Sequence, residues 1–581
     1  MELDGTVAEL VRARWGDHRP GLRFEDLVLS HHQVAAGAAA RAALLRDLLS
    51  PRREPHIGIL LDNTPEYPLW LSAAALAGVA VAGINPTRRG AELARDIRHT
   101  DCQVLLTERA HLPLLTGLEL PGVRVLVTDT AAYAELLAPY EGAEPSVSAA
   151  VTPASRMLLY FTSGSTGAPK AALCSQRRLA AAGRSLVTHF GVSADDVHYI
   201  CMPMFHGNAV IADWAPALAA GAGIALRRRF SASGFLDDVR DFGATYFTYV
   251  GRAVQYILAT PARDDDRAHR LRVGFGTEAG AVDARRFEER FGVRLVEGYG
   301  SSEGGAAVQR TAGTPDGAIG RAAPGDDLAV LDPDTGAECA PAEFGPGGRL
   351  LNGDAAIGEL VNRGRSPFEG YWRNPEADAE RVRGDGWYWT GDLFYRDAAG
   401  YLYFAGRADD RLRVDSENLA AAVIEAILAR WEPVVGAAVY AVPDPVAGDQ
   451  VMAALALRDG EVFDPLAFAE FLLAQGDLGT KMAPRFVRVL PRLPVTATNK
   501  VARGVLRGEG FRCAGPVWWR PRGSGAYREF GEADVAGVVG EFRERGREGL
   551  LGLGARAEVP TASRGASRGG RVGEPPRSGG A

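Results

Sequence analysis

Lysine is almost absent from this chain. Of the 65 basic residues, three are lysine (Lys170, Lys481 and Lys500) and the other 62 are arginine. Lysine offers a compact ammonium where arginine offers a planar fork, so each lysine marks either a place that needs a compact ammonium or a chance survival, and each is judged in its context. Lys481 lies in no motif, and we interpret it as a surface or interface residue. Lys170 and Lys500 are candidate functional residues.

Cysteine is also rare and scattered. The five cysteines include no CxxC pair, which argues against a disulfide framework or a zinc site and favours free thiols in a reducing cytosol. The chain has no excess of basic residues, because its formal net charge is −7. This balance gives no electrostatic reason to expect nucleic-acid binding.

Long apolar runs are missing as well. The N-terminal segment 1–17 carries charges throughout, so we expect no secretory signal there. The segment 67–84 is uncharged over 18 residues but rich in alanine and glycine, and we interpret it as a buried helix followed by a buried strand. We therefore expect a cytoplasmic protein; peripheral membrane contact and a homodimer stay open.

Short apolar runs alternate with helical patterns through the first half of the chain. Segments 57–61, 79–84, 102–107 and 123–128 are typical of strands, and the same alternation continues through 271–276 and 293–300. This pattern predicts an α/β fold with parallel sheets covered by helices. From about Asp327 to Phe404, short strands and Gly/Pro/Asp turns predict a β-rich subdomain.

The pattern changes again after Arg407. Helical and strand-like segments then predict a small α+β domain, and the composition beyond residue 560 is Gly, Ser, Arg and Pro with few apolar residues. We predict an N-terminal domain at 1–407, a C-terminal domain at 408–525, and a tail at 526–581 that is disordered beyond about 560.

The strongest local motif is YFTSGSTGAPK at 160–170. A strand-like segment leads into a loop of Thr, Ser and Gly that ends in Lys170. Small residues let backbone N–H groups approach an anion closely, hydroxyls add donors, and the lysine adds charge. The motif differs from the GxxxxGK[ST] nucleotide loop because Pro169 precedes the lysine and Ala171 follows it. The pattern predicts a phosphate-binding loop of another kind.

Further motifs follow in order along the chain. They are MFHGNA (204–209), GYGSSEG (298–304), TGD (390–392), GRADDRLR (406–413) and PVTATNK (494–500). Together with the loop at 160–170, they resemble the adenylate-forming superfamily, which includes acyl-CoA synthetases, luciferases and peptide-synthetase adenylation domains. The resemblance covers about residues 30 to 525.

The resemblance implies an ATP-dependent enzyme that uses Mg²⁺ and coenzyme A. It places Lys500, Glu303 and His206 in the catalytic group: Lys500 between the carboxylate and the α-phosphate, and His206 as a wall or gate of the acyl pocket. It implies a metal site at Glu303 and Thr162. The residues implied to bind the nucleotide are Thr162, Ser163, Gly164, Ser165, Thr166, Gly167, Lys170, Gly276, Thr277, Glu278, Gly298, Tyr299, Gly300, Ser301, Ser302, Asp392 and Arg407.

Asp409 is implied to be the hinge about which the small domain rotates. In this family one orientation brings the lysine loop in for adenylation, and the other opens a channel for thioester formation. The residues themselves show only a change of pattern at this point of the chain.

Within the superfamily, the chain looks most like bacterial fatty-acid-CoA ligases, which are akin to very-long-chain synthetases and fatty-acid transport proteins. This resemblance implies a fatty acid of medium to very long chain as the substrate. Two alternatives remain: an acyl-AMP ligase that loads a carrier protein, and a non-catalytic fatty-acid-binding member of the fold. An aryl- or amino-acid-activating domain is a further rival.

Overall fold

The computed structural model describes residues 5–162, 170–277, 279, 281–323, 325–345, 350–364, 368–384, 386–408, 411–414, 417–446, 448–476, 478–479, 481–496 and 500–551. The strands are β1 (Pro20–Phe24), β2 (Leu27–Ser30), β3 (His56–Leu60), β4 (Ala80–Gly83), β5 (Val104–Thr107), β6 (Arg124–Val127), β7 (Arg156–Thr162), β8 (Lys170–Ser175), β9 (Val197–Ile200), β10 (Gly223–Leu226), β11 (Tyr246–Val250), β12 (Val273–Thr277), β13 (Leu295–Gly300), β14 (Ala307–Gln309), β15 (Leu328–Leu331), β16 (Gly358–Asn362), β17 (Tyr388–Arg396), β18 (Leu402–Arg407), β19 (Arg411–Val414), β20 (Glu417–Ala420), β21 (Val434–Pro443), β22 (Asp449–Leu457), β23 (Phe486–Leu490), β24 (Val517–Trp519) and β25 (Arg528–Glu529).

The helices alternate with these strands along the chain. They are α1 (Val7–Arg12), α2 (His31–Leu48), α3 (Glu66–Ala77), α4 (Gly90–His99), α5 (Leu112–Leu115), α6 (Ala131–Leu137), α7 (Gln176–Phe190), α8 (Gly207–Ala209), α9 (Ala215–Ala220), α10 (Phe235–Asp241), α11 (Gly251–Leu258), α12 (Ala281–Phe291), α13 (Gly353–Ala356), α14 (Pro375–Arg381), α15 (Ala421–Leu428), α16 (Pro465–Ala474), α17 (Arg503–Glu509) and α18 (Glu532–Glu544). A π-helix, Val210–Trp214, joins α8 to α9.

Two largely parallel sheets form the N-terminal domain, which confirms the predicted α/β fold. The first has the strand order β14-β13-β12-β11-β9-β10-β1-β2 and is parallel from β13 to β1. The second has the order β6-β5-β3-β4-β7-β8, with β8 antiparallel to β7. The carboxyl ends of parallel strands meet at one edge of a sheet, where ligands of such folds usually bind.

The uncharged segment 67–84 is a buried helix, α3, followed by the buried strand β4, as the sequence predicts. Gly78 ends the helix in the left-handed conformation, with φ of 73°, and lets the chain turn into the strand. Trp70 of α3 lies fully inside the main core. Among the described helices, none has both the length and the apolar character needed to cross a bilayer.

The predicted β-rich subdomain is the antiparallel sheet β15-β16-β17-β18. Phe394 of β17 is fully buried in a core that also contains Leu360 and Leu402. The register of β17 and β18 puts Asp392 directly opposite Arg407. Two residues that the resemblance implies for nucleotide binding, from separate motifs, are therefore cross-strand neighbours.

The C-terminal domain contains the sheet β21-β22-β23-β24-β25 and extends beyond the predicted boundary at residue 525. Phe530 packs against Phe486, with ring centroids 5.3 Å apart, and Val538 and Phe542 of α18 join the same core. The predicted end of the domain at residue 525 was therefore too early, because residues after it pack in the core of the domain. Apolar side chains four residues apart on one helix face supply this packing despite an overall polar composition.

A fully buried polar pair links the first sheet to the π-helix. His198 Nδ1 lies 2.9 Å from Asp213 Oδ1, and Thr248 donates a hydrogen bond of 2.9 Å to Asp213 Oδ2. Burial raises the pKa of Asp213. The carboxyl group therefore depends on its two partners.

We expect His198→Leu to lower the free energy of unfolding by about 3–5 kcal/mol, because it leaves a buried carboxyl group without its main partner. Urea unfolding at neutral pH measures this loss. The exposed His18→Leu is the control and should change stability by less than about 0.5 kcal/mol. Equal stability of the two variants would contradict the structural role of the pair.

Candidate active site

The phosphate-loop motif begins where β7 ends and finishes where β8 begins. Thr162 is the last residue of β7, and Lys170 is the first residue of β8. The predicted loop residues Ser163, Gly164, Ser165, Thr166 and Gly167 lie outside the described residues. The two ends of the loop are fixed by the antiparallel pairing of Thr162 with Lys170.

Lys170 is buried and its ammonium group has two neighbours. Lys170 Nζ donates a hydrogen bond of 2.8 Å to Glu380 Oε2, and it lies 5.6 Å from the ring centroid of Tyr371. Glu380 is more than half exposed, so the pair is a partly solvated one. An incoming anion can replace the Glu380 carboxylate at modest cost.

Glu303 lies three residues beyond the end of β13 and is only 8% exposed. Its Oε1 accepts hydrogen bonds from the Thr162 hydroxyl at 2.8 Å and from the Tyr371 hydroxyl at 3.1 Å. Burial alone would raise the pKa of Glu303, but these donors and the charge of Arg381 outweigh it and hold the pKa below its usual value. The structure thus brings the two predicted metal ligands, Thr162 and Glu303, into contact across two sheets.

Arg178 of α7 fixes the turn that carries Glu303. It donates a hydrogen bond of 2.6 Å to the Ser302 carbonyl and another of 2.7 Å to the Leu173 carbonyl of β8. Gly304, with φ of 74°, follows Glu303, and a Cβ there would lie 2.2 Å from the Arg178 guanidinium. The turn therefore requires glycine at this position. The predicted nucleotide-binding run that precedes the turn is Gly298, Tyr299, Gly300, Ser301 and Ser302, of which the first three end β13.

Asp392 is buried and has a partner on each carboxylate oxygen. The Tyr299 hydroxyl donates a hydrogen bond of 2.7 Å to Oδ2, and Arg407 Nε lies 3.4 Å from Oδ1. Burial raises the pKa of Asp392, and the charges of Arg407 and Lys500 with the Tyr299 hydrogen bond counter this only in part. Three predicted nucleotide residues, Tyr299, Asp392 and Arg407, are in contact.

Lys500 belongs to the C-terminal domain, and its positive charge helps to lower the pKa of Asp392 in the N-terminal domain. Its backbone N–H donates a hydrogen bond of 3.2 Å to the Thr496 hydroxyl, and its carbonyl accepts one of 2.7 Å from the Thr496 N–H. A bridge between Val495 and Val501 closes the same loop. The predicted hinge residue, Asp409, lies in the part of the chain that the structure leaves undescribed.

His206 and the end of β12 border this region. His206 is half-buried, and its ring accepts a long hydrogen bond of 3.5 Å from the Asn208 N–H at the start of α8. This contact gives it a helix-capping role. Gly276 and Thr277 end β12 beside Tyr249 and Val250 of β11, whereas the predicted Glu278 is outside the described residues.

Several residues around the site were not predicted from the sequence. Tyr371 and Arg381 lie beside Glu303, Glu380 binds Lys170, and Arg178 holds the Ser302 turn. The sequence offers a signal for Tyr371, which stands between Gly370 and Trp372 in the segment FEGYWRN at 368–374.

The arrangement has the chemistry needed to bind a nucleoside triphosphate with a divalent cation. An ionised, buried carboxylate at Glu303 with a hydroxyl beside it is a hard-oxygen donor set, which suits Mg²⁺. The carboxylate of Asp392 can accept hydrogen bonds from a diol. Lys170, beside Glu380 and Tyr371, and Lys500, whose charge helps to lower the pKa of Asp392, supply positive charge to this region.

Comparisons with known proteins identify the relatives of this chain. Residues 11–372 match the model of the AMP-binding enzyme family, and residues 423–500 match that of the AMP-binding enzyme C-terminal domain. The chain is 49% identical to the steroid-22-oyl-CoA synthetase of Rhodococcus jostii strain RHA1, over 95% of this chain and 100% of that protein. It is 46% identical to the medium/long-chain-fatty-acid–CoA ligase FadD17 of Mycobacterium marinum, over 89% of this chain and 99% of that protein.

A solved structure shares the fold. The ATP-bound structure of MatB from Rhodopseudomonas palustris aligns with a TM-score of 0.75 at 23% identity, covering 86% of this chain and 98% of that one.

Proposed function

The chain belongs to the AMP-binding enzyme family, and we propose that it is an acyl-CoA synthetase that activates a large apolar carboxylic acid with ATP. In the first half-reaction the acid's carboxylate attacks the α-phosphate of ATP, the bond to the β-phosphate breaks, and pyrophosphate leaves. In the second, the thiol of CoA attacks the acyl carbonyl, AMP leaves, and the thiol proton passes to solvent.

The observation that supports this proposal is a pair of polar clusters, one around Glu303 and one around Asp392. Glu303 and Thr162 come together from the two parallel sheets, and Asp392 pairs with Arg407, while the charge of Lys500 helps to lower the pKa of Asp392. The reaction joins two anions, so its barrier falls mainly through charge neutralisation and positioning. A pair of sites of this kind is what such a reaction needs.

Each group has a distinct role in the proposal. Lys500 contacts the substrate carboxylate and the α-phosphate, and Lys170 holds the leaving pyrophosphate. Asp392 accepts hydrogen bonds from the ribose hydroxyls, with Arg407 beside it. Glu303, with Thr162, holds Mg²⁺, which supplies charge neutralisation of the phosphates when it is bound. We further propose that the domain containing Lys500 rotates about Asp409 between the half-reactions.

The acyl group is proposed to be a fatty acid of medium to very long chain. Support comes from the 46% identity to the FadD17 ligase of M. marinum over nearly the full length. A steroid side-chain acid is the second candidate, because the identity to the steroid-22-oyl-CoA synthetase of R. jostii is 49%. Both acids are large and apolar, and both end in a carboxylate that the same adenylation chemistry can use.

Mass spectrometry of the products tests the function. Purified protein is incubated with ATP, Mg²⁺ and single acids, from acetate to very long chains and including steroid side-chain acids, with and without CoA. We expect acyl-CoA and AMP from apolar acids only when CoA is present. Acyl-AMP that accumulates and ignores CoA would favour a carrier-protein ligase, and the absence of AMP and pyrophosphate with every acid would favour a non-catalytic binding protein.

Peripheral membrane contact and a homodimer stay predictions. Flotation with liposomes of mixed neutral and anionic lipids measures the first, and light scattering of the purified chain measures the second. Binding to liposomes would support delivery of poorly soluble acids from a membrane surface.

A further inference from the structure

We propose that Tyr371 is a positioning residue for the metal–nucleotide complex, acting through the carboxylate of Glu303. The inference rests on the proposed function, because it takes Glu303 as the metal-binding carboxylate. It adds a residue that no motif in the sequence identified and that lies more than 60 residues beyond Glu303 in the chain.

The Tyr371 hydroxyl is in direct contact with Glu303. The Tyr371 hydroxyl donates a hydrogen bond of 3.1 Å to Glu303 Oε1, the same oxygen that accepts from Thr162 at 2.8 Å. Two donors on one oxygen fix the rotation of the carboxylate about its last bond. A carboxylate fixed in this way presents its remaining lone pairs in one direction, as a metal ligand must.

Tyr371 is itself firmly held by hydrogen bonds of its backbone segment. The backbone of residues 370–372 pairs with β8: the Leu173 N–H donates to the Gly370 carbonyl at 3.0 Å, and the Trp372 N–H donates to the Ala171 carbonyl at 2.8 Å. The Tyr371 N–H donates a hydrogen bond of 2.7 Å to Asp378 Oδ1. Tyr371 is only 3% exposed, so its hydroxyl has little freedom to move away from Glu303.

Arg381 fixes the orientation of the Tyr371 hydroxyl proton. Arg381 Nε lies 3.3 Å from the Tyr371 oxygen and donates to it, so the hydroxyl proton is directed at Glu303. Arg381 is anchored in turn by a hydrogen bond of 3.2 Å to the Trp389 carbonyl. The chain Arg381–Tyr371–Glu303 therefore runs in one direction, from a cation through a hydroxyl to a carboxylate.

Tyr371 also lies between Glu303 and Lys170. Lys170 Nζ lies 5.6 Å from the centroid of the Tyr371 ring. The Tyr371 hydroxyl thus contacts Glu303, which is proposed to hold the metal. The Tyr371 ring lies beside Lys170, which is proposed to hold pyrophosphate. Tyr371 sets the spacing between these two groups.

Tyr371→Phe tests the hydroxyl alone, because phenylalanine keeps the ring beside Lys170. The full chain is titrated with Mn²⁺–ATP in the absence of any carboxylic acid, and binding is followed by the electron paramagnetic resonance of free Mn²⁺. Calorimetry with ATP and a chelator gives the affinity for metal-free ATP. We expect Tyr371→Phe to weaken Mn²⁺–ATP by about tenfold, as loss of a residue that orients a ligand does, and to leave metal-free ATP within about twofold.

Tyr403→Phe is the matched control. Tyr403 is also buried and also donates its hydroxyl to a carboxylate, Asp397, at 3.2 Å, but outside the site. It should change neither affinity. Arg381→Lys is the second variant, needed if Tyr371→Phe does not fold, and it should weaken Mn²⁺–ATP in the same direction because it removes the bond that orients the Tyr371 hydroxyl.

Three results would overturn the inference. Equal weakening of metal-free ATP and Mn²⁺–ATP would assign Tyr371 to general structure, and unchanged affinities would leave it with no role at the metal. If the unsubstituted protein itself binds Mn²⁺–ATP no better than metal-free ATP, the inference fails together with the metal site of the proposed function. If the unsubstituted protein prefers Mn²⁺–ATP but Tyr371→Phe changes neither affinity, the inference fails and the metal site of the proposed function stands.

Discussion

Lys500→Ala should reduce the rate of acyl-AMP formation by about 10²-fold or more. The substitution removes the positive charge that we assign to the meeting point of the substrate carboxylate and the α-phosphate. It should leave thioester formation from preformed acyl-AMP close to that of the unsubstituted protein, because we propose a role for Lys500 in the first half-reaction alone. Measuring the two half-reactions separately, with acyl-AMP supplied for the second, tests this difference.

Lys481→Ala is a close control for this experiment. Lys481 is one of the other two lysines and lies in the same domain, so its replacement removes the same charge from the same part of the chain. It should keep both half-reactions. An equal loss of both half-reactions in Lys500→Ala would refute the assignment of this residue to adenylation.

Glu303→Gln should reduce kcat/KM for Mg²⁺–ATP by about 10²-fold. Glutamine keeps the shape of the side chain and can still accept the hydrogen bond from Thr162. It lacks the negative charge that Mg²⁺, a hard cation, requires from a buried ligand. We therefore expect the Mg²⁺ concentration for half-maximal rate at fixed ATP to rise, which a metal titration of the initial rate measures.

Glu338→Gln provides the comparison for Glu303→Gln. Glu338 is an exposed carboxylate paired with Arg396 on the surface, so its neutralisation should leave the Mg²⁺ dependence unchanged. If Glu303→Gln slowed the reaction with the same Mg²⁺ requirement as the unsubstituted protein, Glu303 would not be a metal-binding residue.

The sequence predicted the parts of the site that are locally encoded. Thr162 and Lys170 end and begin adjacent strands, and Glu303 lies three residues beyond the end of a strand, so short motifs could propose them as site residues. The parallel sheets followed from the alternation of strand and helix patterns. The predicted segment 57–61 corresponds to β3 and the segment 123–128 to β6, with each end shifted by one residue.

The contacts that join distant segments were not predictable from one sequence. Tyr371 meets Glu303 only because residues 370–372 pair with β8, about 200 residues earlier in the chain. Asp392 and Arg407 were both assigned to the ribose, but their pairing depends on the register of β17 and β18. The end of the C-terminal domain was placed too early because Phe530 and Phe542 are few among charged neighbours, and only the folded structure shows that they share a core.

The packing of α18 on the C-terminal domain has a practical consequence for handling this protein. The family match ends at residue 500, which invites shortened versions that stop soon afterwards. A cut at residue 525 removes Phe530 and Phe542 from this core and uncovers the faces of Phe486 and Phe511 that Phe530 covers. Freshly exposed aromatic surface favours self-association, so a shortened chain that retains Leu551 should remain dispersed at concentrations where one ending at residue 525 precipitates.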